Sequence, residues 1–130
     1  MVSWYNSLLD GSKTYPLGRE VTGKICYTVD GFVYVQISAN GRANFAVNDP
    51  FNATDKENTA AAKSHISYCG TFERKQKQIW HFVEIASIPN WVGTVQQRNY
   101  VLEGDNLTLS AEGAKFNGHD VTAILDWKRL

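Results

Sequence analysis

A succession of short β-type runs, each ended by residues that turn a chain, constrains this sequence more than any other feature. Ser3–Leu9 is followed by Asp10-Gly11, Lys24–Val29 by Asp30-Gly31, and Phe32–Ser38 by Asn40-Gly41. Ile66–Glu73, Ile79–Ala86, Val95–Leu102, Leu107–Ser110 and Val121–Arg129 continue the series. Runs of this length bounded by Gly, Asn and Asp read as strands, because those residues tolerate the backbone conformations that tight hairpins require. Eight such strands in 130 residues predict an antiparallel up-and-down barrel, closed around one small ligand or a packed interior. The length fits a single domain over residues 1–130, and 43% hydrophobic with 12% aromatic content excludes a disordered chain.

The one interruption runs from Ala43 to His65. Thr54-Asp55-Lys56-Glu57 is a capping box, in which Thr54 accepts from a backbone N–H and Glu57 reaches back to the cap. Three consecutive alanines follow, so a short helix of two or three turns is expected there, covering a barrel mouth either as a structural element or as a gate.

Charge narrows the class of partner. Thirteen basic and thirteen acidic residues cancel, so the surplus of cations that nucleic acid or an anionic membrane would require is absent. No run approaches the ~20 apolar residues of a membrane span, and MVSWYNSLLD lacks the charged and apolar regions of a signal peptide. The expected location is cytoplasmic, as a monomer or homodimer. Two sequons, at Asn52 and Asn106, carry little weight without a secretion signal. Cys26 and Cys69 sit inside strand-like runs and read as reduced cysteines packed as small hydrophobes.

Loop length decides which side chains share a face. A two-residue turn at Asp30-Gly31 places Ile25, Tyr27, Val29, Phe32, Tyr34 and Gln36 together. A two- or four-residue loop at Gly104-Asp105 groups Arg98, Tyr100 and Leu102 with Leu107 and Leu109. A turn at Lys75-Gln76 brings Tyr68, Gly70 and Phe72 beside Ile79, His81, Val83 and Ile85; an odd loop instead puts His81 with Cys69 and Thr71. Large apolar groups with a few polar ones among them are what a ligand pocket needs. Each polar group also has a plainer reading: tyrosines with their hydroxyls at a rim, His81 as a satisfied core histidine, Arg98 stacked or paired with Glu84.

No P-loop, G-x-S-x-G, C-x-x-C or H-E-x-x-H occurs, and His65, His81 and His119 have no metal-ligand spacing. Neither a metal nor another cofactor is expected. Any catalysis then rests on acid–base help from His, Tyr, Glu or Arg.

The ordered set Thr14-Tyr15-Pro16-Leu17-Gly18, Gly23 and Tyr27-Thr28-Val29-Asp30-Gly31 resembles the bacterial and fungal lipocalin-like domain family. So do Tyr68–Glu73, His81–Glu84, Pro89-Asn90-Trp91-Val92-Gly93-Thr94, Gln97-Arg98, Leu102–Leu109 and Leu125–Arg129. The resemblance spans essentially the whole chain and implies a small calycin-type barrel. It departs at the start, where family members carry a few more residues with a Gly-x-Trp element. Either Trp4 substitutes for that element or the barrel end it plugs is more open.

Members of such a family include passive binders and proteins of natural-product pathways, so fold alone does not fix the reaction. The leading expectation is a cofactor-independent isomerase or cyclase acting on a hydrophobic natural-product intermediate. His81, Arg98 and Tyr68 are its candidate catalytic residues, with Arg98 as the anchor for an oxygen-bearing ligand. Tyr34, Gln36, Phe72, Trp91, Tyr100 and Trp127 are the candidate ligand-binding residues, with Trp91 at one barrel mouth. The alternative is a non-catalytic carrier or sensor of a small hydrophobic ligand. A third reading, haem ligation, rests on His81 alone.

Overall fold

Turn chemistry and alternation produce a sheet that runs almost in sequence order. The computed structural model describes residues 1–130. Its strands are β1 (Ser3–Ser7), β2 (Lys13–Thr14), β3 (Val21–Tyr27), β4 (Phe32–Ala39), β5 (His65–Arg74), β6 (Gln78–Ala86), β7 (Val95–Glu103), β8 (Asn106–Phe116) and β9 (His119–Lys128). The helix α1 spans Asp55–Lys63 between β4 and β5. From β3 to β9 each strand pairs antiparallel with the next, and β1 then pairs with β9, giving the order β2-β1-β9-β8-β7-β6-β5-β4-β3. The ninth strand relative to the expected eight is the two-residue β2, which pairs only with Asn6 and Ser7.

The sheet curls so that its inward residues form one core. Val33, Val35 and Ile37 of β4, Ile79 and Val83 of β6, and Trp4, Leu109 and Trp127 are all buried in it. Each such aliphatic side chain contributes about 1.5–3 kcal/mol of apolar transfer, the main term holding the curl closed. At the seam, the Met1 ammonium donates to the Gly23 carbonyl at 3.0 Å. The β3–β4, β5–β6 and β7–β8 turns form one end of the molecule, the turn end. The helix, a 3-10 turn at Pro89–Trp91 and the β8–β9 turn form the other, the helix end. Leu17, from the connection between β2 and β3, is buried in the core as well.

The β3–β4 hairpin differs from the expected two-residue turn. Thr28 N–H donates to Phe32 O at 2.9 Å, Gly31 N–H donates to Thr28 O at 3.2 Å, and Gly31 has φ +93°. This is a type I turn followed by a left-handed glycine, which inserts one residue that the two-residue reading lacks. Tyr27 therefore pairs with Val33, not Tyr34. A slip of one residue moves every side chain on β4 to the opposite face. Ile25 and Tyr27 share the interior with Val33, Val35 and Ile37, while Phe32, Tyr34 and Gln36 point outward, Tyr34 being 49% exposed. Cys26 also lies exposed on that outer face, against the expectation of a packed cysteine.

The other two hairpins follow the expected faces. Glu103 pairs with Asn106 across Gly104-Asp105, which puts Tyr100 opposite Leu109 and Leu102 opposite Leu107. Phe72 pairs with His81 and Gly70 with Val83. Beyond Gly70 a bulge skips Glu84, so Cys69 pairs with Ile85 and Ile85 turns out to solvent.

Both halves of the capping box form: Glu57 N–H donates to Thr54 Oγ1 at 3.2 Å, and Thr54 N–H donates to Glu57 Oε2 at 2.8 Å. The helix buries none of its residues and packs beside β5. Thr54→Ala is expected to cost about 1 kcal/mol of helix stability. Because α1 stands at the helix end, ligand affinity measured by titration should not change; a gate would show a change.

Candidate ligand-binding site

The curl leaves an opening where β3 passes the end of β9. There the free edge of β3 faces Trp127–Leu130 across a cleft of about 680 Å³. Ile25 and Tyr27 form one wall, Leu107, Leu109 and Trp127 the other, and Ile79, Tyr100 and Leu102 complete the lining. Inward alternation puts these residues there: each belongs to the apolar face of its strand. Lys24, Arg74, Asp105, Lys128 and Arg129 surround the mouth. Arg129 stands 3.9 Å from Asp105, and Arg74 Nε donates to the Tyr100 hydroxyl at 2.8 Å. The walls are apolar and the rim is mainly cationic. A volume of this size suits one small ligand with an apolar body.

Behind the cleft lies a polar layer. His81 is completely buried, and each ring nitrogen meets a tyrosine: Nε2 the Tyr27 hydroxyl at 2.9 Å, Nδ1 the Tyr68 hydroxyl at 2.8 Å. Tyr27 packs edge-on against Phe72 at 4.9 Å, and Tyr68 edge-on against Trp91 at 5.8 Å. Burial, aided by the nearby Arg98 charge, pushes the His81 pKa down to about 3, so the ring is neutral. Burial raises the pKa of Tyr27 and of Tyr68, and Arg98 opposes the rise in both. Arg98 is partly buried and donates to Gln97 O at 3.0 Å and Gln96 Oε1 at 3.1 Å. Its suggested partner Glu84 is the exposed bulge residue, so no Glu84–Arg98 pair forms.

These contacts set a pH dependence. The unfolded chain binds a proton at His81 near pH 6.5, whereas the native protein does not bind it until about pH 3. Stability from this group is complete above pH 6.5 and falls with pH through that window, by at most about 1.4 kcal/mol per unit. Burial and Arg42 shift His65 in the same direction. The His81 ring carbons should show no titration in NMR spectra between pH 8 and 4, while acid unfolding steepens. Titration near 6.5 would mean that His81 is open to water.

The structure brings His81, Tyr68 and Arg98 together, but none of the three lines the cleft wall. Tyr100 and Trp127 do line it. Phe72 stands one layer back against Tyr27, and Trp91 backs Tyr68 from the helix end. Tyr34 and Gln36 are corrections: the inserted Gly31 turns both away from the interior. Tyr27, absent from the expected site, is the side chain that joins the two layers, since it lines the cleft and holds His81. Its alternation with Ile25 was the available signal.

The lipocalin-like domain model matches residues 1–130, the whole chain. The protein belongs to the lipocalin-like domain family. Among its relatives is the 4'-hydroxy-3'-methoxypropiophenone carrier protein ppsC of Aspergillus oryzae (strain ATCC 42149 / RIB 40). The two are 32% identical over 88 residues, which cover 61% of this chain and 79% of the relative. No solved structure matches this chain significantly. Family and cleft agree on small-molecule binding. No helix is long and apolar enough to cross a membrane.

Proposed function

We propose that this lipocalin-like protein is a non-catalytic carrier or sensor of a small hydrophobic, aromatic ligand, held in the seam cleft between β3 and β9. The observation that carries this reading is the separation of the two layers. The cleft is walled by apolar side chains, and the only imidazole near it is sealed behind Tyr27 with both nitrogens engaged. A neutral histidine whose pKa is pushed down to about 3 is a weak base at neutral pH. The relative in Aspergillus oryzae is a carrier protein for an aryl ketone, which supports the same reading.

A cofactor-independent isomerase or cyclase is the second reading. It is favoured by one observation, the unbroken hydrogen-bonded path from the cleft wall at Tyr27 through His81 to Tyr68. Titration with an apolar fluorescent dye and with propiophenone, followed by chromatography and proton NMR of the recovered ketone, separates the readings. The carrier reading expects saturable micromolar binding and an unchanged ligand. A rearranged product would establish the enzyme instead, and absence of binding would remove both.

A further inference from the structure

The hydrogen bonds behind the cleft have a direction. A neutral imidazole has one donor nitrogen and one acceptor nitrogen, so one tyrosine donates to His81 and the other accepts from it. The positive charge of Arg98 bears on Tyr68, Tyr27 and His81, and it acts on Tyr68 by hydrogen bonding as well, which it does not do on Tyr27. Beside a cation, the Tyr68 hydroxyl turns its oxygen toward the charge and its hydrogen away, toward Nδ1 at 2.8 Å. Nδ1 is then the acceptor and Nε2 carries the proton. Nε2 donates to the Tyr27 oxygen at 2.9 Å. That leaves the Tyr27 hydroxyl hydrogen without a partner within the network, on a residue that forms the cleft wall. Bonds aligned head to tail polarise one another, so this hydrogen is a better donor than that of an isolated phenol.

We propose that the Tyr27 hydroxyl is the donor by which the cleft recognises an acceptor oxygen on its ligand, a carbonyl or a phenolate, with Arg98, Tyr68 and His81 as positioning residues that fix the donor's direction. The ligand class is therefore an apolar, aromatic body with an oxygen acceptor at its inner end. Ligands of the same shape without that oxygen leave the donor unpaired, which is where the discrimination comes from. This assignment rests on the reading of the cleft as the ligand site.

The test compares propiophenone with propylbenzene, the matched hydrocarbon, by calorimetric or fluorescence titration on the full chain. The bound ketone is also examined by its infrared carbonyl stretch. The wild-type protein should bind the ketone about tenfold more tightly than the hydrocarbon, equivalent to about 1.4 kcal/mol. Its carbonyl stretch should move to lower frequency than in an apolar solvent. Tyr27→Phe should remove both the preference and the shift, bringing ketone affinity down to that of propylbenzene. Arg98→Met, which roughly preserves volume, should weaken both without touching the cleft wall. If Tyr27→Phe does not fold, the wild-type carbonyl shift and its reduction in Arg98→Met decide the matter. Equal affinity for the two compounds, an unshifted carbonyl, or a preference that survives in folded Tyr27→Phe overturns the donor assignment but keeps the cleft. Failure of both compounds to bind wild-type protein overturns the cleft reading as well.

Discussion

Gly70→Ala is expected to prevent stable folding. A Cβ built at Gly70 would lie 1.9 Å from the Phe82 carbonyl oxygen and 3.0 Å from the Glu84 amide nitrogen. Both contacts are backbone atoms of the paired strand β6, so no side-chain rotation relieves them. Gly70 sits at the bulge where Glu84 is skipped, and the close approach of the two strands there is what re-aims the rest of β6. Accommodating a methyl group requires β5 and β6 to part beside His81 and Val83, at the centre of the barrel. The cost exceeds the 1–3 kcal/mol typical of overpacking and is on the order of the few kcal/mol that a marginal domain has in total. Urea unfolding followed by tryptophan fluorescence should show no native baseline, or a midpoint lowered by more than half. Gly23→Ala is the internal comparison. Its Cβ would meet the Gln36 backbone carbonyl oxygen and Met1 Sδ, each at 2.9 Å; the methionine side chain can move away, and the carbonyl contact asks for a much smaller strand shift than the 1.9 Å contact at Gly70. That variant should remain folded with a smaller loss. A Gly70→Ala protein as stable as the wild type would show that the bulge is not where the register places it.

The second large effect concerns binding. Ile25 on β3 and Leu107 on β8 belong to the two walls that face each other across the seam. Replacing both with tryptophan fills the cleft from either side without entering the buried centre, since each is only partly buried. The expected outcome is a loss of at least a hundredfold in affinity for dye and ketone, about 2.7 kcal/mol, with melting within a few degrees of wild type. Tyr34→Ala is the control. Tyr34 points away from the interior and should leave affinity unchanged, although it belongs to the set first expected to contact ligand. A Tyr34→Ala protein with impaired binding, beside a double tryptophan variant that still binds, would move the site to the outer face.

How much of this was legible in the sequence depends on how local each signal is. The capping box at Thr54 and Glu57 and the pairing across Gly104-Asp105 are set by neighbouring residues and appear as read, the loop being the two-residue one of the two lengths that fit. The Asp30-Gly31 turn was also visible, but its type was not. The same dipeptide serves a two-residue turn or a turn with an added left-handed glycine, and the single residue of difference reversed β4 and took Tyr34 and Gln36 out of the interior. Ile85 was lost to the bulge at Gly70 for the same reason. The company of Arg98 with Tyr100, Leu102, Leu107 and Leu109 followed from alternation and hairpin pairing alone. The Tyr27–His81 contact could not be read that way. It joins β3 to β6 across the interior, between strands that are not neighbours, and only the closure of the curl creates it.

The proposed function stands on entry of ligand at the seam between β3 and β9. Its most direct test is amide and indole chemical-shift mapping of the isotope-labelled protein titrated with propiophenone. Shifts should concentrate at Gly23–Tyr27, Tyr100, Leu102 and Leu107–Leu109, together with the indole N–H of Trp127. Shifts confined to Phe32, Tyr34 and Ile85, or to the helix at Asp55–Lys63, would contradict it.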